Sequence, residues 1–164
     1  MKNISTIIGV VLLAYVAYKA IKRYAMVPKM KFQSEQLVLL DKNETTSIDA
    51  YKGHVLLVSC YQTWCGSCAR ETPDLNELAA KINSPNFTVL YISDEAEEKA
   101  NKFRQRFASE NIVYAKSAKR FGELGIRSFP SNFLINKKGE VVMTKLEGFD
   151  WLGEEAAIKK LLAE

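Results

Sequence analysis

Val55-Leu56-Leu57-Val58-Ser59-Cys60-Tyr61-Gln62-Thr63-Trp64-Cys65-Gly66-Ser67-Cys68-Ala69-Arg70-Glu71-Thr72-Pro73 decides the fold. The apolar run at its start reads as a buried central strand over Val55 to Tyr61. Downstream, Leu75, Leu78, Ala79 and Ile82 fall at i, i+3, i+4 and i+7, one face of a helix. The order is therefore strand, tight turn, helix, with Cys65 at the helix N-terminus. Backbone N–H groups and the helix dipole stabilise a thiolate there. Cys68 lies one turn further along, close enough to close a disulfide with Cys65. Such a pair exchanges two electrons by thiol–disulfide exchange.

Other readings of a C-x-x-C pair are half of a zinc site or a chance pairing. Zinc takes about four ligands. The remaining soft candidates are Cys60 and His54, both in or beside the preceding strand, and no second C-x-x-C exists. A peroxidatic cysteine would want Thr or Ser three residues earlier and Pro further upstream, where this chain has Gln62 and Val58. Redox exchange is the reading adopted, with no metal and no bound cofactor. Cys60 reads as a small buried hydrophobe, and His54 as a residue of the loop–strand junction.

With 164 residues, 48% of them hydrophobic, the chain can build one domain with an ordinary core. Its charge is uneven. Residues 1–31 hold six basic and no acidic residues; the rest holds 17 basic against 19 acidic, a net of −2. The overall +4 thus belongs to the N-terminal segment and gives no argument for nucleic-acid binding.

Ile4 to Tyr18 carries no charge, and Ala20 and Ile21 extend the apolar stretch past Lys19. This is slightly short of the ~20 residues that span a bilayer, and snorkelling of Lys19 and Lys22 lengthens it. A cleaved signal peptide would want small residues at a one-residue interval, but Ala14, Ala17 and Ala20 are three apart. A soluble helix would show a polar face, and Ile7 to Val16 shows none. An uncleaved transmembrane anchor over residues 1–23, contacting the lipid bilayer through residues 4–21, is expected. A linker over 24–36 and a domain over 37–164 follow it. Five basic residues on the C-terminal flank point the domain to the cytoplasm, whereas a C-x-x-C pair on an anchor points to an oxidising, extracytoplasmic compartment. The expectation is a membrane-anchored, extracytoplasmic domain whose orientation the flanking charges leave open.

Along the domain, Leu37–Leu40 and Thr45–Ile48 flank the turn Asp41–Glu44 and predict a hairpin. Strands are expected at Phe87 to Ser93, Ile112 to Ala115, Ser131 to Ile135 and Glu140 to Leu146. Ala96, Ala100, Phe103 and Phe107 predict a helix, Ala118 to Leu124 a short one, and Leu152 to Leu162 a last one burying Ala157, Ile158, Leu161 and Leu162. Pro73 should kink the helix that follows Cys65. The sum is an α/β mixed sheet with helices on both faces.

Three further features bear on a site. Pro130, after Phe129, opens a strand; it is either cis, offering a backbone edge to a substrate peptide, or an ordinary loop proline. Glu71, one turn beyond Cys68, either exchanges protons with it or is a solvated helix charge. Trp64 either covers the disulfide and contacts a partner or rims the core.

Trp64-Cys65-Gly66-Ser67-Cys68 after a strand, Phe129-Pro130-Ser131-Asn132-Phe133-Leu134-Ile135 some sixty residues later, and the turn Asn136 to Gly139 resemble the thioredoxin superfamily. The anchor, the hairpin, Lys52-Gly53 and Cys68-Ala69-Arg70-Glu71-Thr72-Pro73 resemble its TlpA/ResA group of membrane-anchored thiol–disulfide oxidoreductases. The likeness covers about residues 34 to 163. It implies that Cys65 attacks, that Cys68 resolves, that Pro130 is cis and that Glu71 accepts a proton. It also implies protein disulfides as substrates and an electron-donating thiol partner, one that a membrane could carry. Departures are Ser67 where relatives have Pro, Ser59 where thioredoxin has a buried Asp, and Phe129 where Val or Ile is usual.

Overall fold

Strand β3 (Val55–Cys60) is buried along its whole length because both of its faces are covered. The computed structural model that shows this describes residues 8–18, 30, 32–107, 109–146 and 150–164. Around β3 lie β1 (Leu37–Leu39), β2 (Thr45–Thr46), β4 (Phe87–Ser93), β5 (Ile112–Ser117), β6 (Ser131–Ile135) and β7 (Val141–Leu146). They form one seven-stranded sheet in the order β2-β1-β5-β4-β3-β6-β7. β3 pairs parallel with β4, and β4 with β5; the pairings of β6 with β3 and β7, and of β1 with β5 and β2, are antiparallel. The helices are α1 (8–18), α2 (Gly66–Ile82), α3 (Glu97–Phe107) and α4 (Glu155–Ala163).

Period-two alternation sorts the strand side chains. Val55, Leu57, Val89, Tyr91, Tyr114 and Leu134 face Leu75, Leu78 and Ile82 of α2, Ala100 and Phe103 of α3, and Ile158 of α4. Leu56, Val58, Cys60, Leu90, Ile92, Phe133 and Ile135 face the other way. Regular helices were expected on both faces. Instead α2, α3 and α4 share one. The second is covered by Phe32, by Ile48 in the 3₁₀ turn Ile48–Tyr51, and by Phe121 and Ile126.

The short helix expected over Ala118 to Leu124 is a run of turns. Phe121 and Ile126 are both buried but stand five apart, a spacing no single helix face provides. Gly122 and Gly125 weaken a helix further, and Gly125 has φ 79°. At the C-terminus a 3₁₀ turn (Leu152–Glu154) precedes α4, where Ile158 is buried while Ala157, Leu161 and Leu162 are half-buried. Ala96 is exposed and precedes α3. Helix α2 runs continuously through Pro73.

Within the expected linker 24–36, described residues 32–36 make contacts with the sheet domain. Phe32 is buried with its ring edge-on to Phe133, Gln33 Nε2 donates to Gly139 O at 2.9 Å, and Ala118 N donates to Gln36 O. The polarity of Gln33-Ser34-Glu35-Gln36 hid this, because their partners are backbone groups and Lys119 rather than apolar surface.

Of the expected anchor, 1–7 and 19–23 lie outside the described residues, as do 24–29 and 31 of the expected linker. Among the described residues no helix is long and apolar enough to cross a membrane. The large apolar side chains of α1 are exposed.

Phe32→Ala should destabilise the domain by roughly 3–5 kcal/mol, the usual cost of emptying a buried aromatic site. Denaturant unfolding of wild type and variant checks this; a change below ~0.5 kcal/mol would show that the segment does not belong to the folding unit.

Candidate active site

The site begins at the C-terminal end of β3. Tyr61 stacks on Tyr91 with centroids 4.1 Å apart, which fixes where the chain leaves the sheet. The next residues are held by the loop after β4. Gln62 Nε2 donates to Asp94 Oδ1 at 2.6 Å, and the Thr63 backbone N–H and hydroxyl donate to the two carboxylate oxygens of Glu95. Asp94 Oδ2 accepts the Phe121 N–H at 2.7 Å. One acidic pair thus braces the turn before Cys65 and the loop that leads to Pro130.

Cys65 is the N-cap of α2, and its Sγ accepts the Cys68 backbone N–H at 3.2 Å. The Cys65–Cys68 disulfide is closed, with Cα atoms 5.3 Å apart. Cys65 is 6% exposed and Cys68 0%, so Cys65 is the more accessible of the two. The Ser67 hydroxyl lies 3.3 Å from Cys65 Sγ and 3.5 Å from Phe129 O. Beneath the disulfide, the hydroxyls of Thr72 and Tyr91 both donate to Cys68 O, at 2.8 and 3.1 Å, tying the first turns of α2 to β4.

Glu71 is not a solvated helix charge. It is 8% exposed, on the α2 face that packs against the sheet. Its Oε1 accepts both Asn132 Nδ2, at 2.9 Å, and Trp151 Nε1. Burial raises its pKa from 4.5 to about 7; the two hydrogen bonds oppose the rise and Asp74 adds to it. With Oε1 occupied by two N–H donors, the proton of the neutral acid resides on Oε2.

The Phe129-Pro130 bond is cis and opens β6, in which Ser131 pairs with Cys60. Trp64 is 72% exposed and meets the Phe129 ring edge-on, centroids 6.0 Å apart. It therefore forms the rim of the site with Phe129 and is no part of the core. Cys60 is fully buried and its thiol pKa is pushed up by burial. His54 stands before β3, at the end of that strand opposite the disulfide.

Sequence reasoning missed Asn132, Trp151, Asp94 and Glu95. A second tryptophan placed just ahead of an amphipathic helix was the one available signal for Trp151. The other three act across distances of 32 residues or more in the chain, beyond the reach of local pattern.

The Redoxin family model matches residues 20–162. The chain belongs to the Redoxin family. Within it, the chain is 29% identical over 93 residues to the thiol-disulfide oxidoreductase ResA of Bacillus thuringiensis (strain Al Hakam), covering 56% of this chain and 54% of that one. It is 27% identical over 119 residues to ResA of Halalkalibacterium halodurans, covering 71% and 68%. The chain spans about half the length of several of the ResA relatives it matches. Among solved structures, a putative thiol:disulfide interchange protein DsbE from Chlorobium tepidum superposes with TM-score 0.65 at 20% identity, covering 82% of this chain and 95% of that one. The exposed lipoprotein thioredoxin Etrx1 of Streptococcus pneumoniae gives TM-score 0.62 at 22% identity, covering 79% and 98%. These likenesses make the fold of this Redoxin-family chain thioredoxin-like.

Because the folded state raises the pKa of Glu71, the unfolded chain releases that proton first as pH rises. Stability should therefore fall between about pH 4.5 and 7, by roughly 3 kcal/mol at most, and level off above the folded pKa. Glu71→Gln should flatten that slope. Denaturant unfolding at half-unit pH steps measures it; an identical slope in the variant would place the titration elsewhere.

Proposed function

We propose that this chain is a thiol–disulfide oxidoreductase that reduces protein disulfides. The observation that carries the reading is the placement of Cys65, the more accessible cysteine, with its Sγ capped by an α2 backbone N–H, one turn from the fully buried Cys68. In the reduced protein the Cys65 thiolate attacks one sulfur of a substrate disulfide, forming a mixed disulfide and releasing one substrate thiolate. Cys68 then gives its proton to Glu71 Oε2 and attacks Cys65 Sγ. The second substrate thiolate leaves, and two electrons have passed to the substrate. A carboxyl group with a pKa of about 7 is matched to that transfer at neutral pH. An electron-donating thiol partner restores the dithiol by the same exchange. Trp64, Phe129 and the Pro130 edge are the surface on which the substrate segment lies.

The same dithiol run backwards would oxidise or isomerise substrates. Direction follows from the reduction potential of the Cys65–Cys68 pair. Equilibration with a glutathione buffer measures it: a pair more reducing than glutathione supports reduction, and a strongly oxidising pair would overturn that direction. Cys68→Ala should trap a mixed disulfide through Cys65, since the resolving thiol is gone. Equal trapping by Cys65→Ala would defeat the assignment of roles.

We also propose that residues 4–21 anchor the chain in a bilayer and that the domain faces an extracytoplasmic compartment. Support comes from the uncharged stretch Ile4 to Tyr18 and from the exposed apolar surface of helix α1. The full chain should pellet with membranes and resist extraction by high salt, whereas a chain starting at Pro28 should be recovered in the soluble fraction. Salt-extractable full-length protein would contradict an anchor.

A further inference from the structure

Beside Trp64 and Cys65 lies a cavity whose two arginines the exchange chemistry does not use. It has a volume of about 390 Å³ and lies between the first turn of α2 and the last turn of α3, lined by Trp64, Cys65, Gly66, Arg70, Arg106 and Phe107. Two of these residues are exposed arginines. Arg70 leans back toward the start of its helix, as long helical side chains do, and its Nη1 lies 3.7 Å from where a Cβ on Gly66 would stand. The Arg106 guanidinium sits over the Phe107 ring, 5.3 Å from its centroid, a contact that holds the group without neutralising it.

Neither arginine forms an ion pair among the described residues, whereas Lys52, Lys81, Lys99, Lys102, Lys119 and Lys159 do. Among the described residues no ion pair joins Arg70 to Asp74, one turn further along α2, or Arg106 to Glu110, four residues beyond it. The chain after residue 31 carries 17 basic against 19 acidic residues, so two arginines without an ion pair among the described residues, lining one cavity with Cys65, are not a by-product of a basic domain.

We propose that this cavity is a carboxylate subsite: it receives an Asp or Glu side chain flanking the disulfide of the substrate protein, so that acidic segments are the preferred substrates. The inference rests on the oxidoreductase reading and names the substrate class for it. A guanidinium forms paired hydrogen bonds with a carboxylate, and two of them at one cavity fix which side of Cys65 the acidic residue occupies. The subsite takes no part in bond breaking. It raises the frequency with which an acidic disulfide meets the thiolate.

The test uses the full chain, reduced and in detergent, mixed rapidly with three peptides that differ only in the residues flanking one disulfide: Glu, Gln or Lys. Glutathione disulfide serves as a fourth probe. Wild type should reduce the Glu peptide about tenfold faster than the Lys peptide at low ionic strength, with the ratio shrinking as salt is added. In the Arg70→Gln/Arg106→Gln variant the ratio should fall to about one. Loss of the arginines also alters the thiolate itself, but that acts on all three peptides alike and is read from the Gln peptide. A wild-type ratio near one, or a ratio unchanged in the double variant, would overturn the subsite. Acceleration of glutathione disulfide with none for the Glu peptide would overturn the protein-substrate form of the proposal. Failure of wild type to reduce the Gln peptide would defeat the oxidoreductase reading itself, which keeps the two failures apart.

Discussion

A single carboxylate oxygen, Glu71 Oε1, is held by N–H donors from two distant parts of the chain, and the rest of the site depends on it. A buried carboxyl group is costly unless its oxygens are hydrogen-bonded. Asn132 supplies one donor from β6 and Trp151 the other from the approach to α4. Glu71 itself stands one turn beyond Cys68 on α2. Three elements that share no local sequence are thereby fixed to one another at one atom. The strand that carries Asn132 begins just after Pro130, so the same contact sets the proline edge relative to the disulfide.

A second brace works from the opposite side of β3. Asp94 and Glu95 extend β4 past its last paired residue and accept hydrogen bonds from Gln62, Thr63 and the Phe121 backbone. The turn before Cys65 has no regular secondary structure of its own, and these carboxylates take the place of a ladder. Buried polar contacts of this sort are stiff because leaving any one unmade carries a full desolvation cost. Cys65 therefore enters α2 at a defined angle, with its sulfur over the Cys68 N–H.

The strands, α2, α3 and the disulfide were legible because each is a local pattern: alternation, a 3.6-residue period, or a pair of cysteines at fixed spacing. The covering of the second sheet face was not legible. Phe32 sits in a polar stretch and reads as linker, Phe121 falls within an expected short helix, and Ile126 lies beyond that helix at a spacing that fits neither helix nor strand. Glu71 was ambiguous for a different reason. Whether a helix glutamate is buried depends on how the helix rotates against the sheet, and here that is decided by Leu75, Leu78 and Ile82 packing on β3 and β4. Once those three face inward, Glu71 and Cys68 do so as well, since they lie four and seven residues before Leu75 on the same helical face.

Ser59 gives the buried acid its simplicity. It is fully buried on β3, directly opposite Asn132 in the antiparallel register, on the face turned toward α2. The sequence resembles thioredoxin in this strand, yet the buried aspartate of that family is missing. An acid at position 59 would lie across from the residue that binds Glu71. Two carboxyl groups in one low-dielectric space interact strongly, so their protons leave in coupled steps belonging to the pair. With a hydroxyl there instead, Glu71 titrates as one group, its pKa set mainly by burial and drawn down by two donors. Under the proposed mechanism, that one group takes the proton of one buried thiol, Cys68. In the proposed mechanism the proton acceptor therefore stands on α2, the element that contains Cys68 and that Cys65 caps.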